Sequence, residues 1–175
     1  MRALEVRYSR LHNISMTVLA AGMIGISILH FVTGSGQAPS LTTNDPRLML
    51  YAVLVAAMGY YAWAGFTRSK NPEPQLVIDH DGIEVGFGRN RRFAWNDILW
   101  VRLRRLGFRP QLQIGLVPEA FMRTDLRLSM WNLDDGLRPI RGAPAAVAVR
   151  DNGLDARASA MLDAVRSFRP NLVKS

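Results

Sequence analysis

The sequence has no cysteine, which excludes a disulfide scaffold, a thiolate metal site and a cysteine nucleophile. Histidine is nearly as scarce: His12, His30 and His80 are the whole supply, too few to assemble a histidine-rich metal site. Lysine is confined to Lys70 and Lys174, so arginine supplies 20 of the 22 cations, against 14 acids and a net charge of +8. The most informative lack is local. Residues 14–33 and 48–67, two blocks of twenty, hold no Asp, Glu, Lys or Arg. Outside them the chain is ordinarily polar, and its 175 residues leave room for about one domain.

Twenty helical residues at 1.5 Å each span about 30 Å, the thickness of a bilayer's hydrocarbon core. Both blocks reach that length without a proline, so the sequence predicts two transmembrane helices, 14–33 and 48–67, and an integral membrane protein. Tyr60, Tyr61, Trp63 and Phe66 crowd the end of the second block and Phe31 and Tyr51 mark the opposite side, as amphipathic rings do at headgroup depth. Residues 34–47 have the Gly, Pro, Ser and Asn-Asp-Pro chemistry of a short hairpin loop. Arg2, Arg7 and Arg10 lie in the basic N-terminus, 1–13, and Arg68 and Lys70 follow the second helix, whereas the loop holds only Arg47. The positive-inside rule then puts both termini in the cytoplasm and the loop outside. A cleavable signal peptide is the competing reading of the first block, but the block is long for one and Pro39 follows the small-residue stretch Gly36-Gln37-Ala38. Ala21 with Gly25, and Ala52 with Ala56, are small residues four apart that would let the helices approach closely. His30 is the one ionisable side chain in either block and is expected to face the headgroups.

The texture changes after the linker, 68–74, whose Asn71-Pro72-Glu73-Pro74 is stiff and extended. Short β-patterned runs follow at 75–79 and 82–87, joined by the hairpin signal Asp79-His80-Asp81-Gly82. Further runs are expected at 91–95, 98–106, 111–117, 126–130, 137–140 and 145–150. The period then shifts to that of a helix: Leu154, Ala158, Met161, Leu162, Val165 and Phe168 share one face before Pro170. This is an α+β domain over 75–170, an antiparallel barrel or sandwich of about seven strands capped by a C-terminal helix, with a tail at 171–175.

Three stretches carry a resemblance: Pro74-Gln75-Leu76-Val77-Ile78-Asp79, then Asp81-Gly82-Ile83, then Phe93-Ala94-Trp95-Asn96-Asp97-Ile98. They look like the opening of a bacterial pleckstrin-homology-like domain, a module that recurs directly after two membrane helices. Gly142-Ala143-Pro144, the strand after it, Gly153-Leu154-Asp155 and the closing helix resemble the end of the same group. The similarity covers roughly 71–168 and its motifs are structural, so the resemblance implies a fold rather than an activity.

Catalytic patterns are missing. Asp79-His80-Asp81 suits a hairpin turn better than a metal or acid–base cluster, and the calcium-loop spacing fails because Glu84 and Asn90 stand where glycine and a bidentate glutamate are needed. No nucleophile elbow or phosphate-binding loop occurs, and Gly86-Phe87-Gly88 lacks the third glycine of a dinucleotide loop. The expectation is therefore a non-enzymatic protein without cofactor or metal. Trp95 reads as a core plug, and Asp97 as an Asx-type clasp on the backbone bend beside it. The suggestive feature is cationic: Arg89, Arg91, Arg92, Arg102, Arg104, Arg105 and Arg109 lie within one stretch containing a single acid, Asp97. Period-two alternation puts Arg102 and Arg104 on one strand face with Trp100. Such a face suits an anionic lipid or a partner protein; a homo-oligomer is a further expectation. A membrane tether and the lack of a stacking platform weigh against nucleic acid. The alternative is an accessory subunit of a membrane enzyme or transport complex with a shared site, drawing on Glu119, Asp125, Asp134 and Asp135.

Overall fold

The structure, a computed structural model, describes residues 3–33, 46–86, 92–106, 109–123 and 145–174. The chain divides into two compact units: Tyr8–Asn71, and the segments on either side of it, Met1–Arg7 with Pro72–Ser175.

The inner unit is a helical hairpin of α1 (Arg10–Val32) and α2 (Pro46–Lys70). Each outruns its uncharged block. Ser9 caps α1, its side chain accepting from the His12 amide at 3.4 Å. Pro46 opens α2, where a missing amide proton costs nothing. At the far end Asn71 precedes Pro72, and a residue before proline is steered away from helix. Both helices are long and apolar enough to cross a membrane, and only 6 % and 11 % of their apolar windows are buried. A core helix of a soluble protein would be mostly covered. Val18, Leu19, Ile26, Leu29, Val53 and Trp63 all point outward instead.

The helices touch at one end of the hairpin, where Asn13, Ala20, Ala64 and Gly65 are buried. A Cβ on Gly65 would stand 2.5 Å from Thr17 Oγ1 and 2.7 Å from the Asn13 carbonyl oxygen. Thr17 Oγ1 donates to the Asn13 carbonyl at 2.9 Å and also lies 3.3 Å from that of Ala62. The expected notch lies elsewhere. Ala21, Gly25, Ala52 and Ala56 are exposed, and nothing comes within 4 Å of a Cβ built on Gly25. Toward the other end Tyr51 donates its hydroxyl to the Ser27 carbonyl, and its ring centre lies 6.3 Å from that of Phe31.

The outer unit holds two four-stranded sheets. In the first, β1 (Leu4–Val6), β2 (Leu76–Ile78), β3 (Gly82–Val85) and β4 (Arg92–Ala94) pair antiparallel in that order. The second has the order β7-β6-β5-β8, from β5 (Ile98–Leu106), β6 (Arg109–Leu116), β7 (Ala145–Arg150) and β8 (Val173–Lys174). A single 3-10 turn, Trp95–Asp97, passes the chain between them. The short α3 (Pro118–Met122) follows β6, and α4 (Ala158–Phe168) closes the unit. Alternation decides which side chains go inward: Leu76, Ile78, Ile83, Val85 and Phe93 from the first sheet meet Val101, Leu112, Ile114, Val147 and Val149 from the second in one hydrophobic core. Met161, Leu162 and Val165 of α4 complete it.

Four expectations are corrected. The described sheets do not close into a barrel. The arrangement is not wholly antiparallel, because β8 runs parallel to β5, Val101 opposite Val173. The helix begins at Ala158, after Leu154 and Asp155. The N-terminal segment, expected as a plain basic leader, contributes β1, which pairs Leu4 with Ile78 and Val6 with Leu76. Its placement is locked twice over: Arg7 and Asp155 exchange hydrogen bonds, Arg7 N to Asp155 Oδ1 and Asp155 N to the Arg7 carbonyl, both 2.9 Å. The strands expected at 126–130 and 137–140 lie outside the described residues.

Candidate functional site

The outer face of the second sheet is built by register. Arg102 stands opposite Gln113, Arg104 opposite Gln111 and Trp100 opposite Gly115. Because side chains alternate, these six share the face turned away from the core side chains Val101, Leu112 and Ile114. Gly115 is required there. A Cβ at that position would fall 2.1 Å from the Trp100 ring, so the indole lies flat across the glycine and is fully buried. Arg102 then stacks on that indole, its guanidinium carbon 5.1 Å from the ring, and donates from Nε to Gln113 Oε1 at 2.8 Å. Burial, and then the neighbouring Arg104 cation, pull the Arg102 pKa below the usual guanidinium range. The donor Gln111 Nε2 is buried and has no hydrogen-bond partner among the described residues.

Of the seven predicted arginines, the side chains of Arg92, Arg102, Arg104 and Arg105 are described. Arg102 and Arg104 share the face just described. Arg105 lies on the strand's opposite side and is exposed. Arg92 sits on β4, in the other sheet, among acids: its Nη2 lies 2.8 Å from Asp79 Oδ2 and 3.2 Å from Asp81 Oδ2, and its Nη1 3.5 Å from Glu84 Oε2. Arg109 opens β6 opposite Leu106; its side chain, with Arg89 and Arg91, lies outside the described residues.

Asp79, His80 and Asp81 bring ligand atoms within 4.8 Å of one another, but their oxygens are engaged in the turn. Asp79 Oδ1 accepts the amides of Asp81 at 2.9 Å and Gly82 at 3.0 Å, while its other oxygen faces Arg92. Burial on its own would raise the Asp79 pKa; the two amide hydrogen bonds, with Arg92 and His80, outweigh it and hold the carboxyl below its ordinary value. Trp95 Nε1 closes the turn from inside, lying 3.2 Å from the Asp79 carbonyl oxygen and 3.0 Å from that of His80. The ring also stacks on Phe168, centres 6.3 Å apart. Trp95 is thus the expected plug. Asp97 joins the bend through its carbonyl, which accepts the Val117 amide at 2.9 Å, while its carboxylate lies 3.6 Å from Arg123 Nη2. Of the acids in the alternative reading, Glu119 is exposed on α3, and Asp125, Asp134 and Asp135 lie outside the described residues.

The polar partners Gln111 and Gln113 escaped the sequence reading, although the alternation that placed Arg102 and Arg104 across from them marks them too. No protein-family model matches the chain, and no curated protein or solved structure matches it either. The pleckstrin-homology-like resemblance therefore rests on the residues quoted for it.

Proposed function

We propose that the chain is a membrane-anchored, pleckstrin-homology-like docking module, non-enzymatic and cytoplasmic, whose Arg102–Arg104 face receives an anionic group at a bacterial inner membrane. The observation that carries this reading is the pair of half-buried arginines Arg102 and Arg104 on β5, Arg102 being seated on the buried Trp100 ring and bonded to the buried Gln113. Planar guanidinium forks suit phosphate and carboxylate alike, so a lipid headgroup and an acidic protein surface are the two chemistries it takes. Anchoring raises the module's effective concentration at the bilayer, so individually weak contacts suffice.

Two features support the anchor. The helices leave their apolar side chains outward, which water tolerates poorly and lipid does not. The pairing of β1 with β2 argues that both inner ends of the hairpin return to one side, because β1 precedes α1 and β2 follows α2. It also argues against cleavage after α1, which would strip a strand from the sheet. The arginines flanking the hairpin favour the cytoplasm for that side.

The test uses the full chain in lipid nanodiscs of phosphatidylcholine, with and without phosphatidylglycerol, read by hydrogen exchange over 98–116. Protection that needs phosphatidylglycerol, fades with salt and disappears in Arg102→Gln/Arg104→Gln supports headgroup docking. Absent that, the same double variant should lose an acidic partner protein on co-purification. If it changes neither readout, the docking face is refuted.

A further inference from the structure

A second cationic feature lies within the helical hairpin. At the end where α1 begins and α2 finishes, the helices enclose an open groove of about 490 Å³. Arg10 and Lys70 stand at its rim with Ser69, and Ile14, Val18 and Phe66 line it further in. No acid lines it. The order follows from helix geometry. Ile14 and Val18 sit four and eight residues beyond Arg10 on one stripe, about 6 and 12 Å deeper along the axis, and Phe66 lies about 6 Å deeper than Lys70 on the antiparallel partner. Gly65 permits the close approach that brings the two rims together, since Asn13, Met16 and Thr17 crowd the space a side chain would take. Lys70 Nζ lies 4.1 Å from the centre of the Phe66 ring, holding an ammonium over the mouth. Ser69 Oγ donates to the Phe66 carbonyl at 2.8 Å.

We propose that this groove is a site for one anionic glycerophospholipid, its phosphate between Arg10 and Lys70 and an acyl chain along Ile14, Val18 and Phe66. The inference rests on the reading that α1 and α2 span a bilayer, but not on the Arg102–Arg104 face. The step from cations at the helix ends to an apolar wall deeper along the axis matches the step of such a lipid from phosphate to tail. Charge complementarity is one-sided, because the two cations meet no acid among the described residues that line the groove. A free phosphate would satisfy the rim and leave the apolar floor unused, so the lipid is the better match. Basic pockets between helices at the cytoplasmic side take anionic headgroups on the same grounds.

The experiment is native mass spectrometry of the full chain released from mild detergent, loaded with phosphatidylglycerol or phosphatidylcholine of identical acyl chains. One phosphatidylglycerol per chain should be retained about thirtyfold better than phosphatidylcholine, the expectation for two cations at a lipid surface. Arg10→Gln/Lys70→Gln should remove that preference with helical content unchanged, and Phe66→Ala should weaken both lipids together. Arg102→Gln/Arg104→Gln should leave retention intact, which separates this site from the docking face. Equal retention of the two lipids by the native chain, an unchanged preference in the Arg10/Lys70 variant, or glycerol phosphate binding as tightly as the lipid would each overturn the proposal. Should the Arg10/Lys70 variant lose helix, single Arg10→Gln and Lys70→Gln variants decide by the same readout. Extraction of the chain by alkaline carbonate would instead count against the membrane span itself.

Discussion

At the turn between β2 and β3, one carboxylate does three jobs. Asp79 caps two amides and faces Arg92, and its folded pKa lies below the ordinary 3.8. A depressed acid stabilises the fold above its unfolded pKa and loses that contribution as pH falls through the folded value. Asp79→Asn keeps an acceptor for the amides but no charge. It should lower stability at pH 7 by about 1–2 kcal/mol, the range for charge-assisted hydrogen bonds. The difference from the native chain should shrink once pH drops below 3.8; thermal unfolding of both proteins at pH 7 and pH 3 measures it, and an equal gap at the two pH values would refute the assignment. Trp95→Phe preserves the ring contact with Phe168 and removes the donor to the turn carbonyls. Denaturant titration should show a loss of about 1 kcal/mol. The turn was legible in advance, because Asp before Asp-Gly is local chemistry. That Arg92 would be held by three acids was not, since cross-strand neighbours are fixed by register and not by sequence distance.

Elements were readable wherever period or length is unambiguous. Both apolar helices, the β2–β3 hairpin and the face of α4 formed by Ala158, Met161, Leu162 and Val165 follow from spacing alone. Two pieces of the reading failed for one physical reason. Helix contact and strand pairing depend on what arrives from far along the chain, so the notch at Ala21 and Gly25 looked as good as the real one at Gly65. The two glycines give a matched test. Gly65→Ala puts a methyl group against the Asn13 carbonyl and Thr17, and should cost about 1–3 kcal/mol as an overpacked contact. Gly25→Ala meets nothing within 4 Å, and should leave the melting temperature in detergent unchanged or slightly raised, alanine being the better helix former. In the second sheet, Gly115→Ala drives Trp100 off its seat. Its tryptophan emission should shift to longer wavelength, and the Arg102 stack should go with it.

For the whole molecule, the decisive element is the smallest. β1 has three residues, Leu4-Glu5-Val6, too short to separate from the basic leader by pattern, yet it forms the edge of the first sheet. Val6 lies opposite Leu76 and the strands are antiparallel, so replacing residues 8–71 by a short flexible linker would close a β-hairpin. That shortened chain should be soluble and resist protease. Residues 72–175 alone expose the β2 edge and should aggregate or be digested faster. Equal protease resistance of the two would mean that β1 adds nothing to the module.

Order of manufacture follows from the same strand. Synthesis delivers β1 first and β2 only after both helices have been made, some seventy positions later, or about 4–14 s at ordinary elongation rates. During that interval the first strand has no mate on the ribosome, and the sheet cannot be sealed ahead of the hairpin. The hairpin is therefore made before the module can be complete. A chain whose hairpin stalls part-way is left with an unsealed sheet, visible to the cell's quality control.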